Sequence, residues 1–477
     1  MKMFINGKQV SSSNNKELPV YSPYNGETVD TVPSASKEDI DRAAQGAYEA
    51  QKEWKNVPLH KKTEIVRRFL ELVDENKEEL AQLLTKESGK PIVQSRNEIN
   101  NIHIAWSGFA EKAKHIYGSV IPAGSEENHD GDIVFTKREP IGVVACVIPF
   151  NFPCNLFNQK VAPAILAGNT VIVKPSIENP LTVGKLVLLL HEAGVPDGVI
   201  QFVTGTGSEI GSFISENPII EALTLTGSTA VGVNVAKSAA GTLKTVSLEL
   251  GGNDAFIVLE DATLELAVKE AVYTRFYNAG QICCAPKRFI IHKSLYNEFV
   301  ERVAAEVKTF RIGAPDDDST DIGTLINERA AIEVENQINM TLQQGGSLVC
   351  GGKRHGTVVE PTVIADVPFS ADVMHDVEVF GPVISCCSFE NEEDALKLAN
   401  DTKFGLGASV FTNDMKKAVY YSGAIEAGSV VINGSSYFRS FEMPFGGYKN
   451  SGIGTEGVYS TFEELTKLKC IVLKGIC

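Results

Sequence analysis

The sequence predicts an α/β protein built on doubly wound parallel β-sheet, and three observations carry that expectation. From Ile141 onward, short β-branched runs alternate with helical patterns roughly 10–15 residues long, as parallel βαβ units require. The alternation starts afresh near Leu248, where glycines follow the end of the first series. At 477 residues the chain is too long for one ordinary core, which fits two series in two domains.

Taken in order, the chain opens with a short strand, "MFING", and turns. Two amphipathic stretches follow, residues 37–56 and 60–92, each with apolar residues at i, i+3 and i+4. The polar segment 124–140 alternates loosely and reads as a protruding hairpin. In the first series "GVVACVIPF", "TVIVKPS", "GVIQFVTG" and "IEALTLTGS" are strands, with helices between them and a last helix in "TAVGVNVAKSAA". In the second, "DAFIVL" and "RFIIH" are strands, with "LELAVKEAVYTRFYNAG" and "SLYNEFVERVAAEVKTF" as helices.

Composition removes several function classes. The net charge of −16 leaves no basic face for a phosphate backbone, so no nucleic-acid partner is expected. The start lacks a signal-peptide core and no apolar run reaches about 18 residues, so a cytoplasmic protein without membrane contact is expected. Nine cysteines without a CxxC pair, and eight scattered histidines, argue against a disulfide framework and against a metal site.

Several motifs have chemical potential beside an ordinary structural meaning. "LTLTGSTAVG" puts Gly227 and Ser228 between a strand and a helix, where free N–H groups suit a pyrophosphate; a plain capped βα turn reads the same. "VTGTGSEIG", with Gly207, is a similar glycine-rich turn. Lys174 ends a buried strand, where open sheets collect ligands. Asn151, in "IPFNFP", offers an amide to an oxyanion, or merely a turn. Glu249, flanked by leucines, is a candidate general base whose apolar setting raises its pKa. "AGQICCAPKR" places Cys283 and Cys284 in a loop between helix and strand. A thiolate there is a nucleophile, although most cysteines are inert core residues.

In sequence order, Pro149–Pro153, Lys174–Ser176, Thr226–Ser228, Glu249–Gly252, Gly280–Cys283, Glu378–Pro382 and Pro444–Gly447 closely resemble the aldehyde dehydrogenase superfamily. The resemblance runs from about residue 3 to about 474, and its wording is nearest the lactaldehyde and glyceraldehyde-type branch. It implies a Rossmann-type cofactor domain (1–116 and 139–247), an α/β catalytic domain (248–445) and a small β oligomerisation element (117–138 and 446–477). It also implies Cys283 as nucleophile, Asn151 with the Cys283 N–H as oxyanion donors, and Glu249 as the base that hydrolyses a thioester to a free acid. Lys174 and Glu378 match ribose-binding positions, Gly227 and Ser228 the pyrophosphate turn, and Phe380 the nicotinamide side. Gly207 and Ser176 join this cofactor set; Phe152, Ile282 and Cys284 join the substrate set, with no catalytic role for Cys284.

Two departures bear on specificity. Many NAD-preferring relatives carry a glutamate where this chain has Ile177, so either NAD or NADP is expected, with a lean towards accepting NADP. Arg439 falls in the loop before Pro444–Gly447, which lines the substrate mouth, so a hydroxylated or anionic aldehyde is expected; a surface pairing with Glu442 is the alternative. Non-phosphorylating glyceraldehyde-3-phosphate and semialdehyde dehydrogenases are further readings, the former weakened by Ile282 standing where an arginine is usual. A non-catalytic relative, or a cofactor-free esterase using the same cysteine, would be the remaining classes. A homodimer or homotetramer is expected through the hairpin and the C-terminal strand "LKCIVLKGIC".

Overall fold

The structure is a computed structural model that describes residues 1–440 and 442–476. Its first large sheet has eight strands, five of them parallel. In spatial order these are Ile200–Phe202, Thr170–Lys174, Val143–Val147, Ile220–Thr226 and Thr245–Glu249. The chain starts at Val143–Val147, winds outward to one side, then crosses back to Ile220–Thr226 beside the starting strand. The switch point of this doubly wound sheet therefore lies between those two strands.

Alternating side chains of the sheet enter two different cores, as a sheet covered on both faces requires. Val144, Cys146, Val171 and Val173 join a helical layer containing Trp54, Trp106 and Phe157, whereas Val143, Ala145, Ile172 and Leu223 face Met3, Ile40 and Ile210. Both tryptophans are buried, with Trp54 Nε1 donating to the Ile165 carbonyl at 3.1 Å and Trp106 Nε1 to Asn158 Oδ1 at 2.8 Å.

The second sheet has seven strands. Its parallel part runs Thr362–Ala365, Val383–Phe389, Arg288–His292, Ala255–Val258, Gly407–Phe411 and Ser429–Ile432. Its core is aromatic, with Phe256 4.5 Å from Phe411 and 5.0 Å from Phe289, centroid to centroid.

Three features differ from the sequence reading. The stretch 60–92 is two helices, Leu59–Glu75 and Lys77–Ser88, because Asn76 Nδ2 donates to the Leu72 carbonyl at 2.8 Å and competes with the helical ladder. The helix Ile92–Ala113 went unread, although Ile92, Ile99, Ile102, Trp106, Phe109 and Ala113 mark one buried face. Residues 452–453, expected in the oligomerisation element, instead pair antiparallel with Leu248 and Glu249 at the edge of the first sheet. The polar hairpin joins Val120–Ile121 to Ile133–Pro140, and Thr466–Leu473 pairs along the full length of the latter. Cys477, part of the expected C-terminal strand, lies outside the described residues.

Candidate active site

The two large sheets meet the site from opposite ends of their strands. Asn151 follows Val143–Val147, Lys174 ends its strand, Gly227 and Ser228 follow Ile220–Thr226, and Glu249 ends Thr245–Glu249. In the second sheet, Cys283 precedes Arg288–His292 and Glu378 precedes Val383–Phe389.

The loop that carries Cys283 has an unusual backbone. Helix Leu264–Phe276 gives way to Asn278 (φ 51°), Ala279 (φ 50°) and Gly280 (φ 75°), three successive left-handed residues. The two non-glycine residues cost on the order of 1–3 kcal/mol each, so the surroundings must hold them. Arg275 Nη1 donates to the Gly280 carbonyl at 3.2 Å, and Asn278 Nδ2 to the Asn151 carbonyl at 2.9 Å. Gln281 Nε2 donates to the Asn278 carbonyl at 3.1 Å, while its Oε1 accepts from the Ile326 N–H at 2.9 Å. Gly280 itself has no substitute, since a Cβ there would stand 2.2 Å from the Gly381 carbonyl oxygen.

Cys283 is half-buried and Cys284 buried. The neighbouring Cys284 thiol and burial push the Cys283 thiol well above its ordinary value, while Lys287 opposes them. Glu249 is buried, and neither carboxylate oxygen has a hydrogen-bond partner among the described residues. Burial, then the nearby Cys283 and Glu456, pushes its carboxyl well above the usual range. The thiol is near enough to perturb the carboxylate without a well-directed bond to it.

The sequence reading missed four residues behind this pair. Lys160 Nζ, fully buried, donates to Glu456 Oε1 at 2.7 Å and Thr224 Oγ1 at 3.0 Å. Lys90 and Glu98 form a buried ion pair; Lys90 Nζ also donates to the Asn151 carbonyl at 2.8 Å, and Glu98 Oε1 accepts from the Cys154 N–H at 2.9 Å. Lys160 was detectable as a lone lysine in the apolar helix "NQKVAPAILAG". Glu456 had no comparable signal. Asn151 Nδ2 donates to the Gln281 carbonyl at 3.2 Å, which leaves its second amide hydrogen for another acceptor.

A cavity of about 800 Å3 brings together Asn151, Phe152, Glu249, Ile282, Cys283, Cys284 and Arg439. Phe152 stacks on Tyr277 at 6.3 Å, and Tyr437 lies 5.9 Å from Tyr277, so one wall is aromatic. The Arg439 guanidinium lies 3.5 Å from the centre of the Phe445 ring. Its Nη1 is buried without a hydrogen-bond partner among the described residues, whereas Glu442 faces Lys112 at 3.9 Å.

The other predicted residues lie outside that cavity, around the switch point. Among the described residues Lys174 Nζ donates only to the adjacent Pro175 carbonyl at 2.9 Å, and burial lowers its pKa to about 8. Ser228 caps helix Thr229–Ala240 by accepting from the Val231 N–H at 3.4 Å. Beside it the buried Thr226 Oγ1 has no partner among the described residues. A Cβ at Gly207 would meet nothing within 4 Å. Ile177 packs against Val20, Val32 and Leu181, and Glu178 Oε1 accepts from Asn327 Nδ2 at 3.1 Å. The Ser176 hydroxyl accepts from the Glu178 N–H at 3.3 Å. Glu378 Oε1 accepts from the Gly252 N–H at 3.2 Å, and Phe380 meets Phe150 edge to face at 6.0 Å. A buried lysine amine with donor capacity to spare, an orphaned threonine hydroxyl and a helix N-terminus near the switch point fit a dinucleotide.

A nucleotide crevice on one side and a thiol facing a buried carboxylate on the other define a thiol-bearing, nucleotide-dependent oxidoreductase. The aldehyde dehydrogenase family profile matches residues 10–471. The chain is 37% identical to a lactaldehyde dehydrogenase of Methanococcus aeolicus, over 99% of both chains. It is also 37% identical to a 3-sulfolactaldehyde dehydrogenase of Pseudomonas putida, over 99% of this chain and 97% of that one. A crystal structure of an NADP-dependent enzyme of E. coli superposes with a TM-score of 0.96 at 35% identity, covering 99% of this chain and 98% of that one. The chain belongs to the aldehyde dehydrogenase family: it is an NAD(P)-dependent enzyme that oxidises an aldehyde to a carboxylic acid. No described helix is long and apolar enough to cross a membrane.

Proposed function

We propose that the substrate is a small hydroxylated or anionic aldehyde and that Cys283, Asn151 and Glu249 carry its oxidation. The observation that supports this substrate class is the Arg439 guanidinium, held on Phe445 with an unpartnered nitrogen in the wall of the cavity that Cys283 lines. The carboxylates of that wall, Glu249, Glu270, Glu442 and Glu456, are of the wrong sign to attract an anion, which leaves the Arg439 cation to do so. The names of the lactaldehyde and sulfolactaldehyde relatives agree with it. Arg439→Ala is expected to raise KM for a sulfonated or hydroxylated aldehyde about tenfold while changing KM for propanal less than twofold. Equal losses on both would remove Arg439 from substrate selection.

The Cys283 sulfur adds to the carbonyl carbon, and the oxygen takes the electron pair of the C=O bond. The Asn151 amide and the Cys283 N–H, which has no other acceptor among the described residues, hold that oxyanion. A bound NAD(P) would supply the hydride acceptor, and loss of hydride from the tetrahedral carbon would leave a Cys283 thioester. Glu249 takes a proton from water, the hydroxide attacks the thioester, and the Cys283 thiolate leaves as the acid forms.

For the cofactor, Lys174, Gly207, Gly227, Ser228 and Glu378 would hold its phosphates and riboses, with Phe380 on the nicotinamide side. Acceptance of NADP is supported by Ile177, and by Glu178 being engaged with Asn327 rather than free to repel a 2′-phosphate. The Ser176 O–H remains free to donate. Comparing kcat/KM for the two cofactors tests this, and a hundredfold NAD preference would end it. The three-stranded sheet leaves Thr466–Leu473 as an edge strand with Leu468 60% exposed, which supports assembly into a homodimer or homotetramer. A monomer by light scattering would count against that.

A further inference from the structure

We propose that Lys287 is a positioning residue that fastens the loop carrying Cys283 and ties it to the cofactor side through Glu378. The inference rests on the reading of Cys283 as the nucleophile. The Lys287 side chain is 1% exposed, and its ammonium donates to the carbonyls of Ile282 at 3.1 Å, Cys283 at 2.6 Å and Ala285 at 3.2 Å. An ammonium has three protons, so these bonds use its whole donor capacity. The turn is thereby wrapped around one buried cation.

That wrapping sets the direction of the nucleophile's own N–H. No peptide bond is cis, so the carbonyl of Ile282 and the N–H of Cys283 point opposite ways across one planar unit. Drawing the carbonyl to Lys287 turns the N–H away from the lysine, and it meets no acceptor among the described residues. The same ammonium lies 3.4 Å from Glu378 Oε1, an electrostatic contact beyond its three bonds. Two glycines allow this approach. A Cβ on Gly251 would stand 2.3 Å from Glu378 Oε2, and one on Gly252 3.0 Å from the Cys283 carbonyl oxygen.

The charged and titratable groups around Lys287 are few. Glu378 faces it from the loop before Val383–Phe389. Asp254, whose pKa burial raises to about 7, adjoins it where the Lys287 N–H donates to the Asp254 carbonyl at 3.0 Å. Arg288 follows in the chain with its guanidinium turned to carbonyls of Asn253, Leu398 and Ala399. Cys283, Cys284 and Glu249 lie on the cavity side. Lys287 favours the Cys283 thiolate, and Glu378 offsets part of that effect. Hydroxyl donors to Glu378, such as a cofactor ribose would present, would draw charge from the carboxylate and weaken the offset.

The test is the pH dependence of Cys283 alkylation by iodoacetamide in the full-length protein, located by peptide mapping. Lys287→Met is expected to raise the alkylation midpoint by about one pH unit and to lower kcat about 100-fold. Lys287→Arg, which keeps the charge, should bring the midpoint back to within about 0.3 units of wild type while restoring kcat only in part. Glu378→Gln leaves the three carbonyl bonds intact and should lower the midpoint by about half a unit. A folded Lys287→Met with the wild-type midpoint and kcat within threefold would overturn the inference. If that variant does not fold, an unchanged midpoint in Glu378→Gln overturns it. Turnover that survives stoichiometric alkylation of Cys283 would instead sink the nucleophile reading.

Discussion

The two large sheets serve the site in opposite ways. The first offers the carboxyl ends of its strands, where helix N-termini and a switch point create a crevice without special devices. The second offers the amino ends of its strands, where no such crevice arises. Its site residues therefore sit on loops that need anchors, and the anchors are buried cations. Arg275, Lys287 and Arg288 are each almost fully buried and donate to backbone carbonyls, those of Lys287 all in the Cys283 loop. The first sheet thus delivers Lys174, Asn151 and Glu249 directly from its strand ends, whereas Cys283 and Glu378 sit on loops that must be held.

Mutations can sharpen or break that contrast. Cys283→Ala is expected to lower kcat by about 10⁴-fold or more, and Cys284→Ala by less than about threefold, measured as NAD(P)H formation. Glu249→Gln should slow steady-state turnover about 10²–10⁴-fold while leaving a first-turnover burst near one NAD(P)H per site. Loss of the burst would move Glu249 out of the hydrolytic step. Asn151→Ala should cost about 10²–10³ in kcat with a small change in cofactor affinity. The smallest effect is expected at a binding position of the first sheet: Lys174→Ala should raise KM for the cofactor about tenfold and leave kcat within about threefold. A larger fall in kcat for Lys174→Ala than for Asn151→Ala would move Lys174 from cofactor binding into the reaction itself.

The pH dependence has a definite sign. Glu249 must be ionised to take a proton and Cys283 must be ionised to attack. Burial moves the Glu249 pKa upward, and the Cys284 thiol with burial moves that of Cys283 the same way, so kcat should climb from pH 6 through neutrality rather than peak in acid. Glu87 gives a stability counterpart. It is buried, and its native pKa of about 7 lies above the 4.5 of the unfolded chain. The native state therefore binds the extra proton between those values, and this contribution to stability is full below about pH 4.5 and lost as pH rises through 7. Glu87→Gln should flatten the decline of Tm over that interval.

Strand–helix alternation made the two series legible, because period and punctuation are local properties. The split at Asn76 was not, since it depends on one side chain turning back to Leu72. Cys283, Glu249 and Asn151 were legible through motif order, and the cavity contains all three. Lys287 and Glu456 were not, because a residue's value as an anchor depends on which carbonyls or carboxylates the fold delivers to it.

The chain has only two tryptophans, Trp54 and Trp106, and both lie in the helical layer of the first sheet. Intrinsic indole emission is therefore a reporter of that half of the molecule alone. An unfolding curve followed by emission and one followed by far-ultraviolet circular dichroism will coincide only if both halves melt together. A dichroism change that precedes the emission change would show the half bearing Cys283 opening first, as a region held by loop anchors should.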